Sequence, residues 1–87
     1  VCILKKGTTV KEVNWLFSEV SKYHLKGILQ YTEDPIVSSD IVGNSNSTIF
    51  DGLSTMMIGD NYLKVIAWYD NEWGYSHRVV DLCMMML

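Results

Sequence analysis

Apolar residues alternate loosely over residues 1–5, a pattern that predicts a short strand. The spacing then becomes helical, with Val13, Leu16, Phe17 and Val20 on one stripe. Thr9 and Glu12 frame the start as a capping box, in which hydroxyl and carboxylate each satisfy an orphan backbone N–H. Lys22, His24 and Lys26 lie near the negative end of the helix dipole, and Gly27 marks the stop. Trp15 falls off the stripe, so it is either exposed or covered by something outside this chain.

Residues 28–31 read as a short strand broken by Asp34-Pro35. Residues 38–47 are rich in Ser, Asn, Asp and Gly and read as a long surface loop. Residues 48–58 are extended, with Gly52 a bulge or a point of close approach. Gly59-Asp60-Asn61 is a turn, and residues 62–69 pair back as a hairpin. Along that strand Leu63, Val65, Ala67 and Tyr69 point one way, and Tyr62, Lys64, Ile66 and Trp68 the other. A last helix begins near residues 70–72, with Tyr75, Val79, Leu82 or Cys83, and Met86 as its buried stripe. The predicted class is α+β, an antiparallel sheet with helices on one face. No repeat or boundary divides residues 1–87.

The chain has 87 residues, enough for one small domain at most. Its 48% hydrophobic content excludes disorder by composition. A net charge of −3, with no basic cluster longer than Lys5-Lys6, speaks against nucleic acid as a partner. No apolar run reaches membrane-span length, which excludes a membrane helix. The first residues lack a Met and a cleavable leader pattern and read as mid-strand, so the chain is expected to be a fragment of a longer one. Cys2 and Cys83 form no spaced pair and read as inert buried thiols in a reducing compartment. With His24 and His77 they give no zinc spacing, so no metal ligand is assigned. Asn46-Ser47-Thr48 matches a glycosylation acceptor, a short and common pattern that carries little weight without a secretory signal.

Candidate chemistry gathers in Trp68-Tyr-Asp-Asn-Glu-Trp-Gly-Tyr75. This run places a carboxamide and two carboxylates at a strand-to-helix junction, where backbone N–H groups are unpaired. Asn71 on position alone is more often a helix cap than a ligand. Tyr75 divides evenly between pocket lining and packing. Glu72 fits the helix N-terminus, and Trp68 and Trp73 fit packing. Gly74 inside a helix costs about 1 kcal/mol against Ala, which close approach of another backbone or of a cofactor would explain.

The stretch Val65-Ile-Ala-Trp-Tyr-Asp-Asn-Glu-Trp-Gly-Tyr-Ser-His-Arg-Val-Val-Asp-Leu82 closely resembles the end of the glyceraldehyde-3-phosphate dehydrogenases. Leu25-Lys-Gly-Ile-Leu-Gln-Tyr-Thr-Glu-Asp-Pro-Ile-Val-Ser-Ser-Asp40 and Asn46-Ser-Thr-Ile-Phe-Asp51 resemble the same family, in the same order. The likeness covers roughly residues 1–82 and departs at Cys83-Met-Met-Met-Leu87. It implies the last part of a catalytic domain whose intact enzyme oxidises an aldehyde with NAD or NADP and phosphate, through a Cys thiohemiacetal. It implies that Asn71 hydrogen-bonds the nicotinamide carboxamide, since an amide can donate and accept at once. Tyr75 would line the same pocket.

The family's Ser-Cys-Thr-Thr-Asn nucleophile segment, its G-x-G-x-x-G fingerprint and its phosphate ligands lie outside this stretch, so no catalytic residue is assigned. The implied partners are the remainder of the chain, the other subunits of a homotetramer and the cofactor. The implied location is the cytoplasm, with the plastid as alternative. The rival reading is a truncated, non-catalytic product that binds a family subunit or folds only in part.

Overall fold

The computed structural model describes residues 1–87. The elements in order are β1 (Cys2–Ile3), α1 (Val10–Lys22), β2 (Leu29–Thr32), a 3-10 turn (Ser38–Ile41), β3 (Thr48–Asp51), a second 3-10 turn (Gly52–Ser54), β4 (Met56–Ile58), β5 (Tyr62–Lys64), β6 (Ala67–Trp68) and α2 (Trp73–Met86). The class is α+β. The strands form two three-stranded sheets, ordered β1-β5-β4 and β2-β3-β6.

Three strand expectations need correction. Residues 48–58 are not one extended run, because the 3-10 turn Gly52–Ser54 separates β3 from β4 and the two strands lie in different sheets. β2 and β3 run parallel, with Leu29 opposite Thr48 and Thr32 opposite Asp51. The 33–47 segment carries the chain back to the starting end of β2, as a parallel pair requires. Alternation of apolar residues carries no information on direction. The extended run 62–69 is also not one strand. β5 closes the expected hairpin with β4, Ile58 facing Tyr62. The chain then leaves that sheet, and β6 pairs with β3, Ile49 opposite Trp68. The alternation therefore holds for buried Leu63 and half-buried Val65 but fails at Ala67 and Tyr69, both exposed.

Thr9 caps α1, its hydroxyl accepting the Glu12 N–H at 3.2 Å. The second half of the box is different from the expectation, because the Glu12 carboxylate accepts the Thr8 hydroxyl at 2.8 Å. The helix ends at Lys22, and turns lead to Gly27, whose φ of +83° is the left-handed conformation glycine tolerates. Val13 is buried, while Phe17 and Val20 pack beside it on the core of Val13, Leu29, Phe50 and Leu63. Phe17 stacks on Phe50 with ring centroids 4.1 Å apart. Leu16, the remaining stripe residue, is exposed. Together with Trp15 it lines an apolar groove of about 650 Å³ between β1, α1 and β5.

At Gly52 an added Cβ would lie 2.5 Å from the Tyr31 hydroxyl, so the expected close approach is there. Asn14 secures this crossover from α1, donating to the Gly52 carbonyl at 2.9 Å and accepting the Thr55 hydroxyl at 2.7 Å.

Two burial expectations fail. Cys2 and Cys83 are both exposed free thiols. The stripe assigned to α2 is also exposed at Tyr75, Val79, Leu82 and Met86, and Gly74 is the buried residue of that helix. α2 is held near its start, by Gly74 against Asn46 and Arg78 on Gly27 and Ser47, so its apolar spacing has no floor to lie on. No helix is long and apolar enough to cross a membrane.

Candidate functional site

The segment between β6 and α2 carries the candidate residues. Asp70 organises it. Its Oδ1 accepts the backbone N–H of Glu72 at 3.1 Å and of Trp73 at 3.0 Å. Its Oδ2 accepts the N–H of Gly43, from the facing loop, at 2.8 Å. These bonds favour the ionised carboxylate. The Trp73 N–H, then those of Gly43 and Glu72, hold the Asp70 carboxyl below the usual carboxylate range against some loss of hydration.

A hollow of about 370 Å³ lies between this segment and the facing loop. Ser38, Ile41 and Val42 line one side, and Tyr69, Asp70, Asn71 and Glu72 the other. Ile41 is buried and fixes the base of the loop. Asn71 is exposed at the hollow. The orphan N–H groups at the start of α2 are taken by Asp70, not by Asn71, so the Asn71 carboxamide is free for a partner. An amide group in a polar-rimmed hollow suits a planar carboxamide ligand, to which it can both donate and accept.

Tyr75 lies beyond this hollow. It is 70% exposed, on α2, and does not line the hollow with Asn71. Glu72 lines it with its backbone tied down, the N–H to Asp70 and the carbonyl to the Ser76 N–H. Trp73 is half exposed and lies against His77, with ring centroids 5.3 Å apart. The His77 Nδ1 sits 3.2 Å from the Trp73 carbonyl. Trp68 is tied inward, its indole N–H donating to Asp51 Oδ2 at 3.2 Å.

Gly74 has its expected explanation in a backbone. A Cβ there would stand 2.8 Å from the Asn46 carbonyl oxygen. Asn46 is held in turn, its amide group donating to Gln30 and to Asn44.

Arg78 was not singled out from the sequence. Its guanidinium donates to the Gly27 carbonyl at 3.2 Å and the Ser47 hydroxyl at 3.1 Å, and pairs with Asp81 at 3.0 Å. Its position one turn after Gly74 on the same helix face is the signal that could have found it.

No three His, Cys, Asp or Glu side chains come together in a way that could hold a metal ion. Elsewhere, burial first and then the hydrogen bond and charge of Glu33 push the Tyr31 hydroxyl up to about 12.

The family described as "Glyceraldehyde 3-phosphate dehydrogenase, C-terminal domain" matches residues 1–71. The glyceraldehyde-3-phosphate dehydrogenase of Borreliella burgdorferi is 53% identical over 100% of this chain and 26% of its own length. That of Podospora anserina is 52% identical over 93% of this chain and 24% of its own. The cytosolic enzyme of Taxus baccata is 49% identical over 95% of this chain and 24% of its own. The chain thus spans about a quarter of the length of the relatives it matches.

Proposed function

This chain belongs to the glyceraldehyde-3-phosphate dehydrogenase family, through its C-terminal domain, and we propose that it serves as one wall of the nicotinamide pocket in an intact enzyme of that family. The observation that carries this reading is the unspent Asn71 carboxamide at a hollow whose helix start is already capped by Asp70. Asn71 would pair with the carboxamide of NAD or NADP and so fix which face of the ring meets the substrate. Tyr75 stands outside this hollow and is assigned no contact with the cofactor. The nicotinamide ring, when bound, supplies the hydride acceptor. The residues of this chain bind and orient; the nucleophile and the base belong to other parts of the enzyme.

The remainder of the reading rests on family membership. The substrate is glyceraldehyde 3-phosphate, the assembly a homotetramer and the compartment the cytoplasm, as in the Taxus baccata relative's name. Exposed Trp15, Leu16, Val79 and Leu82 are surfaces for the remainder of the enzyme or its other subunits.

Asn71→Ala in the full-length enzyme tests the proposal. Loss of one amide pair, worth roughly 0.5–1.5 kcal/mol, should lower the cofactor's kcat/KM about three- to tenfold. Alkylation of the nucleophilic Cys should be unchanged. Unaltered cofactor kinetics would leave Asn71 a surface residue and remove the reading.

A further inference from the structure

We propose that Asp70 is a positioning residue for Asn71, holding the pocket-lining segment and the facing 38–47 loop at a fixed separation; this rests on the reading of Asn71 given above. One carboxylate spans the two sides of the hollow. Oδ1 takes the N–H groups of Glu72 and Trp73, which brackets Asn71 in the chain between its own anchor and the first turn of α2. Oδ2 takes the N–H of Gly43, next to Val42 on the opposite wall.

Gly43 itself has φ +81°, a conformation that turns its N–H inward at no steric cost. Two further contacts keep the same loop on α2. Gly74 lets the Asn46 carbonyl approach, and Arg78 holds Ser47. Those two lie past the hollow. Asp70 is the link at its rim, adjacent to the group that would meet the ligand.

The separate functions of the two oxygens make the idea testable. In Asp70→Asn the side-chain oxygen can still cap Glu72 and Trp73, but the amide nitrogen cannot accept from Gly43. Asp70→Ser keeps a capping hydroxyl and is also too short to serve both sides.

In the full-length enzyme, cofactor Kd by calorimetry and cofactor KM should rise about threefold or more in both variants, the effect of one lost hydrogen bond on position. The KM for the aldehyde should hold, and the melting temperature should fall by no more than the few degrees that one hydrogen bond carries. The double variant Asp70→Asn with Asn71→Ala should bind cofactor no more weakly than Asn71→Ala alone, because Asp70 acts through Asn71. Wild-type cofactor affinity in Asp70→Asn, with Asn71→Ala impaired, would overturn the positioning role and leave the Asn71 reading intact. Simple additivity in the double variant would also overturn it. A silent Asn71→Ala would remove the underlying reading, and the proposal with it.

Discussion

Helix α1 buries Val13 and stacks Phe17 on Phe50, whereas α2, of almost the same length, buries only Gly74. Both carry apolar residues at helical spacing. The difference is in what lies beneath them. α1 rests on β2 and β3, and Phe50 there is 2% exposed between Phe17 and Tyr31. α2 touches the body of the chain through Asp70, Gly74 and Arg78, and residues 79–87 are exposed. The first region is held by burial, the second by directed polar contacts and one close backbone approach. A region of the second kind can carry an exposed binding group without collapsing around it.

The largest expected effect lies in the first region. Phe50→Ala removes the ring at the centre of the core and should cost about 3–5 kcal/mol. Denaturant unfolding of the full-length enzyme measures it. A loss below about 1 kcal/mol, the size of an ordinary substitution, would mean that this core is not what holds the segment and would erase the contrast.

The same contrast explains what the sequence made legible. Thr9 and the spacing of Val13, Phe17 and Val20 located α1, because its cap and its floor both lie within the chain. Gly52 and Gly74 were legible as points of close approach, since a glycine in regular structure needs a reason. The parallel pairing of β2 with β3 was not, because direction depends on where the 33–47 segment returns. The split of 62–69 between two sheets was not, because Leu63 and Trp68 are equally at home in either. The burial expected of Tyr75, Val79 and Leu82 failed for a third reason: periodicity names the apolar face of a helix but not what covers it. At the candidate site the place of Asn71 at a strand-to-helix junction was legible and the bridge made by Asp70 was not, since a carboxylate reaching Gly43 is a long-range fact.

Gly74→Ala probes the backbone contact in the second region. The new methyl would meet the Asn46 carbonyl at 2.8 Å, and a backbone oxygen cannot swing aside as a side chain can. Overpacking of this kind costs about 1–3 kcal/mol, offset by the roughly 1 kcal/mol that Ala gains over Gly in a helix. A net loss of about 1 kcal/mol in thermal unfolding is expected. A stabilised variant would show that α2 can lift from the loop freely.

Acid separates the two regions without mutation. The Asp70 carboxyl titrates below its ordinary value in the folded chain, so the folded state binds its proton less readily than the unfolded state does. Its contribution is therefore complete above the unfolded value and is lost as pH falls through the lowered folded one. Below about pH 4 the ordinary carboxylate range is left behind, and the start of α2 and the Gly43 loop should loosen while the Phe17–Phe50 stack persists. The Gly43 amide proton shift should follow this titration, and the step should vanish in Asp70→Asn. An aromatic core that disorders at the same pH would mean that the regions are not independent.

The smallest effect is expected at the far end of α2. Met85 is 83% exposed and lies between Met84 and Met86, which are also exposed. Nothing in the chain packs on it, so Met85→Gln should alter the stability of the 87-residue chain by no more than about 0.5 kcal/mol. It should also lower binding of an apolar dye, because it interrupts a run of uncovered methionines. In the full-length enzyme the same substitution reads the surroundings of the helix end directly. A stability change that stays near zero there keeps α2 a helix fixed only at its first two turns. A loss beyond about 1 kcal/mol, the scale of a truncated packing contact, would place the methionines against a neighbouring surface, and α2 would then be a core helix like α1 whose floor is supplied from elsewhere.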